Sequence, residues 1–246
     1  MMSRPRRSRH SRRTSASPSQ RLRSGKRALR RLRSRFPTAA STAIAGLRIV
    51  CIAALPFLLL VNTSVLAHRF LGSPGWVSIA LGCTTATAFV AFLGARLWHR
   101  MTGRNRLRVI ARNVALPIVL GFCVYSLGWF SNFSAKSPRI RDLYRDLHPA
   151  LRLAIGTATL TDPHVVITEI SRERADYARM GLPPVERSLH FRQDDGWIHA
   201  FDIRTRGRSE IRNRLSQLYF RAMGFRALRH GGTGDHLHIA LPRPRN

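Results

Sequence analysis

The sequence predicts a three-helix transmembrane anchor followed by a small α+β domain with a mostly antiparallel sheet. Three observations lead there. First, the charge is partitioned: 42 Lys+Arg face 12 Asp+Glu for a net +30, yet no acidic residue precedes Asp142. Residues 1–141 carry 25 basic side chains and no acid, while the remainder is nearly balanced, with 17 basic and 12 acidic. Second, three uncharged runs of membrane length interrupt the basic half. Third, the last ~110 residues, enough for one small core, alternate between helix-like and strand-like patterns.

Residues 1–42 form a tail of Arg, Ser and Pro with 14 basic residues. It has too little apolar area to bury, so disorder is expected, with one short basic helix near 26–36. A charge of +30 would suit a nucleic-acid binder. The tail, however, has no interleaved aromatics and no recognition motif, so nucleic acid is not the expected partner. Anionic lipid headgroups are, at about 1 kcal/mol per basic residue near the surface.

Residues 43–135 hold the three spans, expected at about 46–67, 76–96 and 112–133. The uncharged runs are the 19 residues Ile49–Ala67, the usable part of a 26-residue run after Gly72-Ser73-Pro74-Gly75, and the 23 residues Asn113–Ala135. About 20 apolar residues cross a ~30 Å hydrocarbon core. Pro56 and Pro117 are tolerable inside such helices. Six Arg between Arg96 and Arg112 flank the second connection, against one in the first. With the basic tail, this bias places the N-terminus in the cytoplasm and the C-terminal domain outside the cytoplasmic membrane. Cys51, Cys83 and Cys123 all fall inside spans, so the domain beyond has neither disulfide nor cysteine metal site. The central parts of the spans carry no Asp, Glu, Lys or Arg, which leaves transport or proton relay without support.

Residues 139–246 form the remaining domain. A helix is expected over 139–155, with Ile140, Leu143, Leu147 and Leu151 at helical spacing. Strands are expected at 164–171, 197–204 and 236–241. Between the last two, a helix over 210–225 places Ile211, Leu215, Leu218, Tyr219 and Met223 on one face, with Gly224 as its C-cap.

Strand alternation then sorts the polar groups. In HLHIAL, Leu237, Ile239 and Leu241 face the core, so His236 and His238 face the opposite surface. In WIHAFDIR, Asp202 likewise points away from the face shared by Trp197, His199, Phe201 and Ile203. His190 lies on the preceding loop and Asp235 at the entrance of the last strand. A hydrolytic zinc site needs about three N/O ligands, an open position for water and a carboxylate to take its proton. His190, Asp202 and His238 supply the ligands and Asp235 the base. His199 is a rival ligand. It lies three residues from Asp202 and so faces the other side of a regular strand, which favours His190.

These residues resemble the LAS-type zinc peptidases, the group of D-alanyl-D-alanine carboxypeptidases, endolysin L-alanyl-D-glutamate peptidases and the hedgehog domain. Thr168-Glu169-Ile170-Ser171-Arg172 is similar to the family's T-S-G-x-R. Ser188-Leu189-His190 with Ala200-Phe201-Asp202 is similar to its S-x-H-x-x-G-x-A-x-D. Asp235-His236-Leu237-His238 matches its D/E-x-x-H. The resemblance covers about 139–242. It implies zinc on His190, Asp202 and His238, Asp235 as general base, Arg172 on a substrate carboxylate or oxyanion, and His236 as a supporting or transition-state partner. It also implies peptidoglycan stem peptides as substrates, cut in the manner of a D,D-carboxypeptidase. One departure stands out: eleven residues separate His190 from Asp202, where the family has six. That insertion either bulges outward and leaves the ligands in place or marks a decayed site. In the latter case the domain is an inactive wall- or partner-binding module.

Overall fold

The computed structural model describes residues 39–130, 134–172, 181, 188–232 and 234–245. The basic tail and the short helix expected over 26–36 lie outside the described residues. Three helices are long and apolar enough to cross a membrane: α1 (Ala39–Leu71), α2 (Gly75–Thr102) and α3 (Leu107–Gly128). Even α3, with 22 residues, reaches about 33 Å at 1.5 Å per residue. The chain divides into two units, residues 1–51 and 52–246. The described part of the first is the opening of α1. The second holds the rest of the anchor and the whole C-terminal domain.

Glycine ends the first two helices. Gly72 and Gly103 take the left-handed φ values of 59° and 70° that a side chain disfavours, and the Gly103 amide donates to the His99 carbonyl at 2.8 Å. The connections are therefore short, 72–74 and 103–106, and neighbouring helices run antiparallel. α3 starts and stops about five residues earlier than expected. Its first turns include Arg108 and Arg112, long side chains that can extend from a helix end toward water. A single π-turn, Ala111–Ala115, lies just before Pro117, and the Leu116 amide donates to the Ala111 carbonyl. The wider turn relieves the clash that a proline ring makes with the carbonyl four residues back.

Small residues let the helices approach. Ser78, Gly82 and Ala86 are buried along one side of α2, a small-xxx-small spacing. Gly82 sits against the Leu60 carbonyl and the Ser64 hydroxyl of α1, where a Cβ would overlap both.

The expected helix over 139–155 is broken in two. A short helix α4 (Pro138–Asp142) runs into a 3₁₀ turn (Leu143–Asp146), and α5 occupies Pro149–Thr161. Pro149 has no amide hydrogen and forces His148 out of the helical region, to φ −51° and ψ 134°. His148 then caps α5, its Nδ1 accepting the Ala150 amide at 3.2 Å. Pro149 to Ala158 are all buried, because α5 is sandwiched between the anchor and the sheet. Tyr144 donates its hydroxyl to the Ser126 carbonyl at 2.6 Å, and Arg152 donates to the Leu127 carbonyl at 2.9 Å. The same guanidinium lies 5.9 and 5.5 Å from the rings of Trp76 and Trp197.

The described strands form one antiparallel sheet in the order β1 (Ile167–Glu169), β2 (Ala200–Arg204), β4 (His236–Ala240), β3 (Arg226–His230). The class predicted from the sequence, an anchor followed by an α+β domain, is the observed one. Strand β3 was not expected; its sequence RALRH shows no regular polar–apolar alternation, and of its five residues Ala227 alone is buried. Ile167, Phe201, Ile203, Ala227, Leu237 and Ile239 make the core face.

Helix α6 (Glu210–Ala222) starts at Ser209, whose side chain accepts the Arg212 amide, and ends before Gly224 with φ 92°. It buries Asn213 and Phe220 and leaves Ile211, Leu215 and Leu218 exposed. The apolar face expected from spacing is thus divided. Asn213 donates to the Thr205 carbonyl at 3.1 Å and sets the rotation of the helix.

Beside it, the nearly buried Arg208 donates to Asp162 at 2.6 Å and to the Ser216 hydroxyl at 3.0 Å. Partial burial pushes the Asp162 carboxyl up, but Arg208 and the His164 amide pull it below its ordinary range overall. Its folded pKa is below the unfolded value near 3.9, so its contribution is full above about pH 4 and is lost as pH falls further. Asp162→Ala is expected to destabilise the chain by about 2 kcal/mol, less than a fully buried pair would cost. Thermal unfolding in detergent should show that the difference from the parent shrinks from pH 6 to pH 3. A constant difference would rule out the ion pair as its source.

Candidate metal centre

The centre is built where β2 and β4 lie side by side. Asp202 and His238 are direct cross-strand partners, so both side chains leave the sheet on the face opposite Phe201 and Leu237. His190 reaches them from a turn whose position is set by backbone bonds, Arg172 amide to His190 carbonyl at 3.3 Å and His199 amide to Leu189 carbonyl at 3.0 Å. The three residues singled out from the sequence are the three that converge. Asp202 Oδ1 is 2.9 Å from His238 Nδ1 and 3.4 Å from His190 Nε2, and the two histidine nitrogens are 3.2 Å apart.

That triangle fits a metal ion. Ligands at 2.0–2.1 Å in tetrahedral array are separated by about 3.3 Å, close to all three distances. The outer contacts also fit. His190 donates its Nδ1 proton to the Ile170 carbonyl at 2.8 Å, which leaves the Nε2 lone pair directed at the other two ligands. Asp202 and His190 are buried, at 2% and 3% exposure, whereas the His238 side chain is 21% exposed. The open position therefore lies on the His238 side. Burial pushes the Asp202 carboxyl up, but the imidazoles of His190 and His238 against it and the charges around it hold it well below the carboxylate range. It is an anion at neutral pH. These three residues can hold a metal ion.

Two further expected residues stand at the rim. Arg172 donates to Asp202 Oδ2 at 2.8 Å, so it balances the ligand carboxylate from behind. His236 Nε2 lies 3.7 Å from the same oxygen. The expected base, Asp235, is placed differently. Arg229 grips its carboxylate in two-point fashion, Nε to Oδ1 at 3.1 Å and Nη2 to Oδ2 at 2.9 Å. That contact draws the Asp235 carboxyl down and directs it toward β3, away from the triangle.

His230 also stands here, though the sequence did not single it out. It faces His236 across the β3–β4 pair, with rings stacked at 5.0 Å and a 6.0 Å edge contact to His238. Reading RALRH as a strand would have found it, since His230 and Leu228 then share the face of His238.

The long His190–Asp202 segment bulges outward. Arg192 bridges Ile198, the Gln193 amide donates to the Trp197 carbonyl at 2.8 Å, and Gly196 turns the chain with φ 81°. The hairpin projects and returns, so His190 and Asp202 keep their places. His199, the rival ligand, points to the opposite side of the sheet and meets Asp195 at 2.9 Å. The chain matches no family model, no curated protein and no solved structure.

Proposed function

We propose that this chain is a membrane-anchored, zinc-dependent peptidase acting on the stem peptides of peptidoglycan. The observation that carries the reading is the His190–Asp202–His238 triangle, with the His190 proton committed to the Ile170 carbonyl. Zinc suits a borderline site of two imidazoles and one carboxylate. When bound, it would polarise a scissile carbonyl and lower the pKa of a coordinated water. The chain's own residues would do the rest. Arg172 holds Asp202 in its ligating orientation, and His236 and His230 line the open side, where their ring nitrogens can meet a substrate carboxylate or oxyanion. Asp235 would serve as the base for that water once its carboxylate swings from Arg229 toward the triangle, a movement that a substrate entering beside His236 would promote.

The charge bias supports a cytoplasmic N-terminus, with the catalytic domain on the outer side of the cytoplasmic membrane, where peptidoglycan lies. The tail would then rest on anionic headgroups. One observation favours a second reading: the grip of Arg229 on Asp235 would suit a domain that binds wall peptides without cutting them.

The full chain in detergent, incubated with muropeptides and zinc and read by mass spectrometry, separates the two. Cleavage is expected for the parent. Asp235→Ala is expected to retain zinc at the triangle and lose cleavage by 10²-fold or more, the usual contribution of a general base. Undiminished cleavage would remove Asp235 from its role. A parent that binds zinc and stem peptide but leaves the peptide whole would establish the binding module instead.

A further inference from the structure

On the other side of the sheet, three histidines cluster where the domain meets the end of the anchor. His148 caps α5, His199 precedes β2, and His68 lies in the last turn of α1. The His148 ring is 4.8 Å from that of His68 and 5.1 Å from that of His199, and the His68 and His199 rings are 5.5 Å apart. Asp195, delivered by the hairpin inserted between His190 and Asp202, places Oδ2 2.9 Å from His199 Nε2. Its other oxygen accepts the Trp197 amide at 3.1 Å, which fixes the carboxylate in that direction.

The polar accounting of this cluster is unbalanced. His68 and His148 are 4% and 0% exposed, yet among the described residues neither nitrogen of His68 and not the Nε2 of His148 meets a partner in hydrogen-bond geometry. Buried ring nitrogens are nearly always satisfied, and a run of unsatisfied ones beside a carboxylate calls for a ligand. A cavity of about 630 Å³ opens there, lined by His68, Ser73, Asp195, His199 and Arg243.

We propose that His148, Asp195 and His199 form a second divalent-cation site, separate from the peptidase centre, that staples the domain to the end of the membrane anchor. One ligand atom from each of the three lies within 4.8 Å of the others, and His68 stands beside them as the fourth donor. Two to three imidazoles with one carboxylate select a zinc-class transition cation over calcium or magnesium. Burial holds His148 and His199 below their ordinary pKa range, so both are neutral, the form that coordinates metal.

Two adjustments accompany binding. The ligands draw together by up to about 1.5 Å toward tetrahedral separation, a movement that Asp195, on a partly exposed loop, can make. His148 moves its proton from Nε2 to Nδ1, exchanging the long cap to Ala150 for a metal bond, and His199 likewise shifts to Nδ1 the Nε2 proton that it donates to Asp195. Seated there, the cation would join the inserted hairpin, the start of α5 and, through His68, the first membrane helix.

Zinc stoichiometry of the full chain in detergent, measured by equilibrium dialysis and elemental analysis, tests the site independently of the first. Two zinc ions per chain are expected, falling to one in Asp195→Asn with His199→Gln and also to one in Asp202→Asn with His190→Gln. Asp195→Asn keeps the turn to Trp197, so a folded variant is available. A parent holding one zinc that Asp202→Asn with His190→Gln removes and Asp195→Asn with His199→Gln leaves would overturn the second site. One zinc with the reverse dependence would uphold the second site and sink the peptidase reading. No zinc in the parent would sink both.

Discussion

Asp202→Asn is expected to release the zinc of the proposed peptidase centre and to end hydrolysis. The substitution keeps the shape of the side chain and removes its charge. Disturbing a residue that merely orients a ligand costs 10- to 100-fold in affinity, so neutralising a ligand should cost at least 100-fold. Asp202 also faces Arg172 at 2.8 Å from within the fold. A buried pair broken from one side costs about 3–5 kcal/mol. The Arg172 side chain is partly exposed, which places the expected loss nearer 3. Zinc titration should show one ion fewer per chain, with no further loss when His190→Gln is added. Thermal unfolding in chelator should show the destabilisation without metal. Retention of that ion by Asp202→Asn would exclude Asp202 as a ligand.

Gly156→Ala is expected to destabilise the docking of the domain on the anchor, against the trend of helix propensity. In an exposed helix the change would stabilise by about 1 kcal/mol. Here α5 lies so close to α3 that the new Cβ would overlap the Ser126 hydroxyl and stand 2.7 Å from its Cβ and 3.3 Å from its Cα. Overpacking of this kind costs typically 1–3 kcal/mol, and the backbone atom cannot move aside as a flexible side chain could. A net loss of about 2 kcal/mol is expected. The Ser126 hydroxyl is buried without a partner among the described residues, so Ser126→Gly removes the obstruction at little polar cost. The double variant should recover most of the loss in thermal unfolding; no recovery would show that the glycine matters for another reason.

Periodicity explains which features were legible in the sequence. A helix rises by a constant amount per residue, so uncharged runs such as Ile49–Ala67 announce membrane-crossing length without any tertiary contact. A strand alternates its faces strictly, so Asp202 and His238 could be assigned to the non-core side from the aliphatic residues beside them. Pairing of the two strands sets Asp202 beside His238, whereas His190 reaches them through a turn held by backbone bonds to Arg172 and His199. Where the local signal was mixed, it misled. RALRH hid β3 because one buried alanine is a weak strand signature. The apolar spacing of α6 did not predict which face is buried, since Asn213, a polar residue, anchors the helix through the Thr205 carbonyl.

By itself the sequence determined the anchor, the α+β class and the shared face of Asp202 and His238 in the candidate metal centre, because each depends on local repeat and on a single strand pairing. Tertiary structure alone decided that Arg229 holds Asp235, that the residues after His190 fold outward as a hairpin, and that Asp195, His148, His199 and His68 gather beneath the sheet. The last of these unites a membrane helix with residues about 80 and 130 positions away, a distance over which spacing carries no information. Packing against the anchor brings them together.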